Sequence, residues 1–551
     1  MNRRALRRFV AGVAGVSASV LVLAACTSSS ESSSSESSAS GSSSAKTSAS
    51  KDAVIGYDAI DNADPIQFKT NADYMVTNNV YGTVVKENYK KDSKGVLVGD
   101  STYSMELADS LTWNAAGTAL SIKLKPNLKF ADGTPLTSAD VVYTIQRSLS
   151  DASYANAFKQ YIGVADPTTA VTAPDASTAV IATTFKAPLL EKFLSFPVFG
   201  ILSKTAGTAH ATATDPWAKT YFAKTIISSG AYMVSSWPSQ DSMVLKKNPN
   251  YTVDDISASP ATVTLKNIAD PNQEYLALQQ GQIDIALGLL PKLAKQAQSD
   301  SGVTVATSPA SDLVYMGFNN ADPALSNVKV RQALSYLVPY DSLKNDVYAG
   351  FANTAYGIAP YPMSSALDSA GTKIAYPTDV AKAKSMLSDA GVTNLSLTLS
   401  IDAGDPTAVQ AATFIQSAFQ QGGVSVKVDQ LQSADYNAKL GKRQLQMFLG
   451  EWYSWGADPI YQMYFLLHSN SFVDYTSYKN PTFEALVEKG ITESDVTARN
   501  KISQQAQQIA IDDAPMSYLY TRDFLVVSNK NVSGLTQPDN QFLYFQYLSV
   551  K

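Results

Sequence analysis

The stretch from Leu395 to Val428 leaves this chain little freedom of fold. Leu395, Leu397, Leu399 and Ile401 alternate strictly, Thr407 to Gln421 has helical periodicity ending at Gly422-Gly423, and Val424, Val426 and Val428 alternate again. A period of two buries one face of a strand, whereas a period of 3.6 buries one face of a helix. Strand, helix and strand with short connections form the unit of a sheet with crossover helices, so an α/β fold is expected. At 551 residues the chain is too long for one ordinary core, and two or three lobes are expected.

Composition removes several classes of function. The formal charge is −5 and no long basic run occurs, which argues against nucleic acid as a partner. One cysteine, Cys26, and two histidines, His210 and His468, are too few for a zinc or iron–sulfur site, and no D-x-[DN]-x-[DN]-G calcium loop is present. No metal or other cofactor is expected. A Ser-His-Asp device would have to use one of those histidines, and no G-x-S-x-G elbow stands near a strand-to-helix turn. An exported hydrolase is therefore a poor fit, and the chain is not expected to be an enzyme.

The first residues read as an address. Arg3, Arg4, Arg7 and Arg8 precede an apolar run from Phe9 to Ala25, the charged and hydrophobic regions of an export signal. Leu23-Ala24-Ala25-Cys26 has the form of a bacterial lipobox, in which the cysteine is lipidated and becomes the first residue of the mature protein. Residues 1–25 are thus expected to be a signal peptide and Cys26 a lipid anchor, with the body on the extracytoplasmic side of the cell membrane. Arg7-Arg8 leaves the export route, general or twin-arginine, open. Loss of the four arginines takes the formal charge from −5 to about −9. Residues 26–51, almost all serine, bury too little apolar surface to fold and are expected to be a flexible tether.

Folded structure is expected from Ala53-Val54-Ile55, with a first helix over Tyr74, Tyr81, Val84 and Val85. Leu120, Ile122 and Leu124 mark a strand that Pro126 ends; Thr137 and Asp140 then start a helix whose stripe is Val141, Val142, Ile145 and Leu149. The ordered run Trp113-Asn114-Ala115-Ala116-Gly117, Leu120 to Pro126 and Phe130-Ala131-Asp132-Gly133-Thr134-Pro135 to Tyr143 resembles the signature of the family 5 extracellular solute-binding proteins. These are the peptide- and nickel-binding receptors of ATP-binding-cassette importers. Ser229-Gly230-Ala231-Tyr232, Lys247 to Tyr251, Gln280 to Ala286 and Val330-Arg331-Gln332-Ala333-Leu334 resemble later family segments in the family's order. Pro339 stands where that last helix usually continues and should end it early.

The resemblance implies a two-lobed, Venus-flytrap receptor of the periplasmic-binding-protein type with an extra domain, closing about a hinge. Lobe I would comprise 52–97, 215–318 and 518–551, the extra domain 98–214 and lobe III 319–517, with the hinge at Phe318-Asn319 and Asp513 to Leu519. It implies a monomer that hands its solute to a membrane permease and ATPase. In the family a W-x-x-D segment lines the cleft and its acid holds a peptide's amine; here Trp452-Tyr453-Ser454-Trp455 puts Trp455 in the acid's place, followed by Asp458-Pro459. An indole offers a cation only about 0.5–2 kcal/mol, so Glu451, Asp458 or an acid from elsewhere must substitute if the ligand is a peptide. Lys69 and Asn71, counted from Asp64-Pro65, stand where ligand contacts are expected, and Phe318 and Tyr436 are further candidates. The expected solute is an oligopeptide, with an oligosaccharide as the alternative because aromatic faces stack on sugar rings without a fixed charge. A nickel chelate fits poorly with two histidines.

Overall fold

The computed structural model describes residues 50–551 except 69, 94, 455, 538–541 and the side chain of Ser101. The expected signal peptide, Cys26, most of the serine tract, Lys69 and Trp455 lie outside the described residues. Ser50 and Lys51, expected in the tether, are already bound to the folded body: Val550 donates its N–H to Ser50 Oγ at 2.8 Å, and the Lys51 N–H meets the Val550 carbonyl at 2.9 Å.

A twelve-stranded sheet runs through the body. Its main path is Ser425–Leu431, Ser396–Asp402, Met447–Tyr453, Asp312–Phe318, Met516–Asn529, Ile285–Ala286, Ala53–Tyr57, Thr262–Asn267, Ser242–Lys247 and Tyr232–Ser239. The expected crossover unit is present, with Ser396–Asp402 parallel to Ser425–Leu431 and helix Pro406–Gln421 between them. The first strand, β1 (Ala53–Tyr57), is parallel to both of its neighbours.

The lobes meet where the chain changes partners. Strand β2 (Val303–Pro309) leads through Ala310-Ser311 into β3 (Asp312–Phe318), which pairs with β4 (Met447–Tyr453). The fourteen-residue β5 (Met516–Asn529) serves both halves: Met516 to Tyr520 pairs with β3, and Asp523 to Asn529 pairs with β2. The change of partners does not fall at Phe318-Asn319, where the hinge is expected. All seven residues of β3 are buried, and both of its neighbours are β4 and the second-lobe half of β5, so it belongs to the second lobe rather than the first. The matching change on β5 falls between Tyr520 and Asp523, beyond the expected 517/518 boundary.

The extra region carries its own antiparallel sheet, ordered Ala108–Trp113, Ala119–Leu124, Thr178–Ala182 and Val171–Asp175, under helix Ser138–Ser148. Asp140 starts that helix as expected, accepting the Thr137 N–H at 2.8 Å. The first helix, α1 (Asn71–Val80), is shorter than expected, and Val85 opens a strand instead. Pro339 acts as foreseen: the helix before it is Val328–Ser335, and Pro339 precedes a fresh turn at Tyr340.

One dry ion pair joins the extra region to the first lobe. Arg147 and Asp64 are both fully buried, and the guanidinium meets the carboxylate through two bonds of 2.6 Å while Nε donates to the Trp217 carbonyl at 2.9 Å. Removing one member of such a pair leaves an uncompensated charge, at a cost of about 3–5 kcal/mol. Asp64→Ala is expected to lower the free energy of unfolding, obtained from a urea titration followed by circular dichroism, by an amount in that range, and the urea midpoint with it. An unchanged midpoint would show that water reaches Arg147 in the folded protein.

Candidate functional site

Strand β4 ends at the join between lobes, and its last residues form one wall of a cleft. Glu451 is exposed there, while Trp452 and Tyr453 are half-buried. Antiparallel pairing sets Tyr453 opposite Asp312 and Met447 opposite Phe318, so only the start of β3 reaches the cleft. Helix α2 (Pro459–Leu467) follows β4 and backs the wall: Trp452 stacks on Phe465 at 5.7 Å and lies 6.1 Å from the Tyr461 ring. The opposite wall comes from the first lobe and the extra region, with Phe68, Asn71, Tyr154 and Phe542. Asn71 owes its place to the start of α1, fixed where Thr70 accepts the Asp73 N–H at 3.1 Å.

These walls enclose about 460 Å³, largely aromatic, with Phe472 standing 58% exposed at the rim. A second compartment of about 220 Å³ adds Tyr57, Tyr348, Thr407 and Arg522, and shares Asn71, Tyr453 and Phe542 with the first. The two are parts of one cleft. Their combined size suits a small ligand held by apolar area and a few polar groups. Burial pushes the Tyr453 and Tyr57 phenols above their ordinary range, so both are neutral hydrogen-bonding groups. The indole Nε1 of Trp452 is buried and has no hydrogen-bond partner among the described residues.

Among the described residues Arg522, Asp523 and Glu451 bring charge to the cleft walls, with Asp312 buried behind Arg522. Arg522 donates from Nε to Asp312 at 2.6 Å and from Nη1 to Glu451 at 2.5 Å, and its guanidinium carbon lies 4.9 Å from the Tyr453 ring centroid. Asp312 is fully buried, whereas the Glu451 side chain is 45% exposed. Only one Glu451 oxygen is engaged by a described residue.

The sequence candidates divide sharply. Trp452, Tyr453 and Asn71 are brought together in the cleft. Ser454 is buried behind the wall with its Oγ unpartnered. Phe318 is not a cleft residue: it is fully buried in the second lobe's core, at the end of β3 remote from Tyr453. Tyr436 is also core, its hydroxyl donating to the Leu449 carbonyl. Asp458 cannot take a ligand's amine, because both oxygens are already occupied. It caps α2 by accepting the Tyr461 N–H at 2.8 Å, accepts the Tyr161 hydroxyl at 2.9 Å, and forms a two-pronged pair with Arg499 on α3 (Val496–Asp513). Burial raises its carboxyl, but Arg499 and these bonds prevail and hold it below the ordinary range.

Arg522, Phe68, Phe472 and Phe542 were not among the sequence candidates. Arg522 did leave a trace, as the Arg522-Asp523 pair interrupting an otherwise apolar strand. A larger cavity, about 740 Å³, is walled by Lys90, Lys192, Ser311, Asp458 and Arg499. The cleft is the better site, because it gathers the β4 aromatics, whereas the larger cavity has Asp458 and Arg499 already bound to each other.

Behind the cleft floor lies Glu274, fully buried, which accepts the N–H groups of Leu287 at 2.9 Å and Gly288 at 3.1 Å. Gly288 makes room for it, since a Cβ there would stand 2.8 Å from Glu274 Oε2. Burial pushes its carboxyl up to about 7, against the lowering effect of those N–H groups. The folded protein thus holds this proton where the unfolded chain has released it. The resulting stabilisation is complete below pH 4.5 and is lost as pH rises towards about 7. Glu274→Gln keeps an acceptor without the titration, so its stability should gain on the unaltered protein by up to about 3 kcal/mol between pH 5 and 8. Parallel pH profiles of the two unfolding midpoints would contradict this.

The model of the bacterial extracellular solute-binding proteins, family 5, matches residues 102–474. A probable D,D-dipeptide-binding periplasmic protein of Escherichia coli is 28% identical over 477 residues, covering 86% of this chain and 88% of that one. A glutathione-binding protein of the same species is 24% identical over 518 residues, covering 90% and 94%. Among solved structures, the periplasmic binding protein DppA of Helicobacter pylori, in complex with the peptide STSA, superposes with a TM-score of 0.77 at 20% identity, covering 90% of this chain and 98% of that one. The substrate-binding protein CtaP of Listeria monocytogenes superposes at 0.78 with 22% identity, covering 91% and 99%. Among the described residues no helix is long and apolar enough to cross a membrane. The match over most of the chain and the shared two-lobed α/β fold lead to one conclusion: this chain belongs to the family 5 bacterial extracellular solute-binding proteins, which are binding components and not enzymes.

Proposed function

We propose that the chain is the receptor of an ATP-binding-cassette importer for short peptides. Acylated Cys26 tethers it outside the cell membrane, and the closed lobes present the captured peptide to a permease and its ATPase. In this scheme the lobes are about 50–97 with 215–309 and 523–551, and 312–520, and the extra domain is 98–214. The observation that carries the peptide reading is Glu451, a half-exposed carboxylate beside an aromatic cleft, with one oxygen not engaged by any described residue. It supplies the counter-charge that an ammonium needs on leaving water, since desolvating one unpaired costs several kcal/mol. The aromatic compartment then receives an apolar side chain, and the Trp452 indole N–H is available to a peptide carbonyl. The names of the dipeptide- and glutathione-binding relatives are in keeping with this reading.

Calorimetry with a free-amine peptide and its N-acetylated form tests the proposal. The free amine should bind at least about tenfold more tightly, a difference of about 1.4 kcal/mol, and Glu451→Gln should erase the preference. Equal affinity for the two forms, or an oligosaccharide found bound by native mass spectrometry, would overturn it. Trp452→Ala should weaken peptide binding by about 1–2 kcal/mol with the melting temperature nearly unchanged.

A further inference from the structure

Arg522 lies on β5 at the point where that strand passes from one half of the sheet to the other. Its position is set on two sides: its backbone N–H donates to Asp312 Oδ1 at 2.9 Å and its Nε to Asp312 Oδ2 at 2.6 Å. Nη1 meets Glu451 Oε2. That leaves Nη2, which is buried and has no acceptor among the described residues. An unmade hydrogen bond on a buried charged donor is costly, so this N–H is a strong candidate to receive a ligand's acceptor.

The charge around it restricts what that acceptor can be. One guanidinium stands between two carboxylates, so the cluster carries an excess negative charge. Arg522 is the only cation among the described residues lining both compartments. A carboxylate brought to Nη2 would meet Glu451 at close range and be repelled, and the low dielectric of the cleft strengthens that repulsion. An amide carbonyl accepts the same hydrogen bond without a net charge. An ammonium and the carbonyl of its own residue are only two bonds apart, which matches two recognition groups that already touch each other.

We propose that Arg522 determines specificity by donating its Nη2 N–H only to an uncharged carbonyl of the ligand's first residue while Glu451 holds that residue's ammonium. The cleft then admits peptides and amino amides and rejects free amino acids. Asp312 is a positioning residue, aiming the guanidinium and contributing half of the repulsive charge. The inference rests on the peptide reading above.

Competition on the full chain against the tripeptide Phe-Ala-Ala separates the two. Phenylalaninamide should displace it at least tenfold better than phenylalanine. Asp312→Asn, which removes one negative charge and one of the two acceptors that aim Arg522, should narrow that ratio to less than threefold. This ratio is a readout that a loss of folding alone would not shift. Equal competition by the amide and the acid on the unaltered protein overturns the inference whatever the variant does, as does an unchanged ratio in a folded Asp312→Asn protein. Failure of the tripeptide to bind at all would refute the peptide reading and this inference with it.

Discussion

The hydrogen-bond ladder along Met516–Asn529 is the constraint from which the rest of the structure follows. A strand buried in a sheet must satisfy N–H and C=O groups on both edges. This one has β3 and then β2 along one edge, and Ala352–Thr354 and Ile285–Ala286 along parts of the other. The gap between β2 and β3, Ala310-Ser311, cannot be moved without stripping bonds from one lobe or the other. The cleft opens beside that gap because β4 ends there, and Tyr453 can face the first lobe only because it pairs with Asp312, the first residue after the crossing. Arg522 occupies the same level on β5. Backbone pairing therefore brings the cleft's charged cluster together before any side chain contributes.

Charge is also placed at the other joins. Arg147 and Asp64 connect the extra region to the first lobe, and Tyr161, Asp458 and Arg499 connect it to the second. Buried pairs of this kind add little stability over apolar contacts of the same volume, but each fails badly if one member is displaced. Around Asp458 they are set in an aromatic cluster in which Phe158 meets Phe465 at 5.8 Å and Phe193 meets Tyr461 at 5.8 Å. The rings supply buried area and the ions fix the geometry.

Much of the fold was legible because it depends on local period. The alternation at Leu397 and Leu399, the helix ending at Gly422 and the start at Thr137 all have causes within a few residues. The first helix was read too long because Val84 and Val85 continue its spacing, although the chain has already turned into a strand. The site was harder to read. Trp452 and Tyr453 were identifiable as aromatics crowded at the end of an apolar strand. Phe318 was misplaced because pattern shows which face of a strand is buried but not which end lies at the cleft; that depends on register with β4. Asp458 looked like a spare acid because its partner Arg499 is 41 residues away. Phe472 and Phe542 reach the cleft from irregular segments, where no periodicity marks them.

The pairing of Ser50 and Lys51 with Val550 brings the first described residues beside the last strand's end. Ser50 and Lys51 thus close onto the C-terminal strand just before β1 enters the middle of the sheet. A pull applied at Ser50 is carried in shear by the parallel ladders on both sides of β1, the geometry in which many hydrogen bonds share a load at once. Because β1 ends at Tyr57 in the cleft wall, a force applied at Ser50 reaches the binding site through one strand held on both edges.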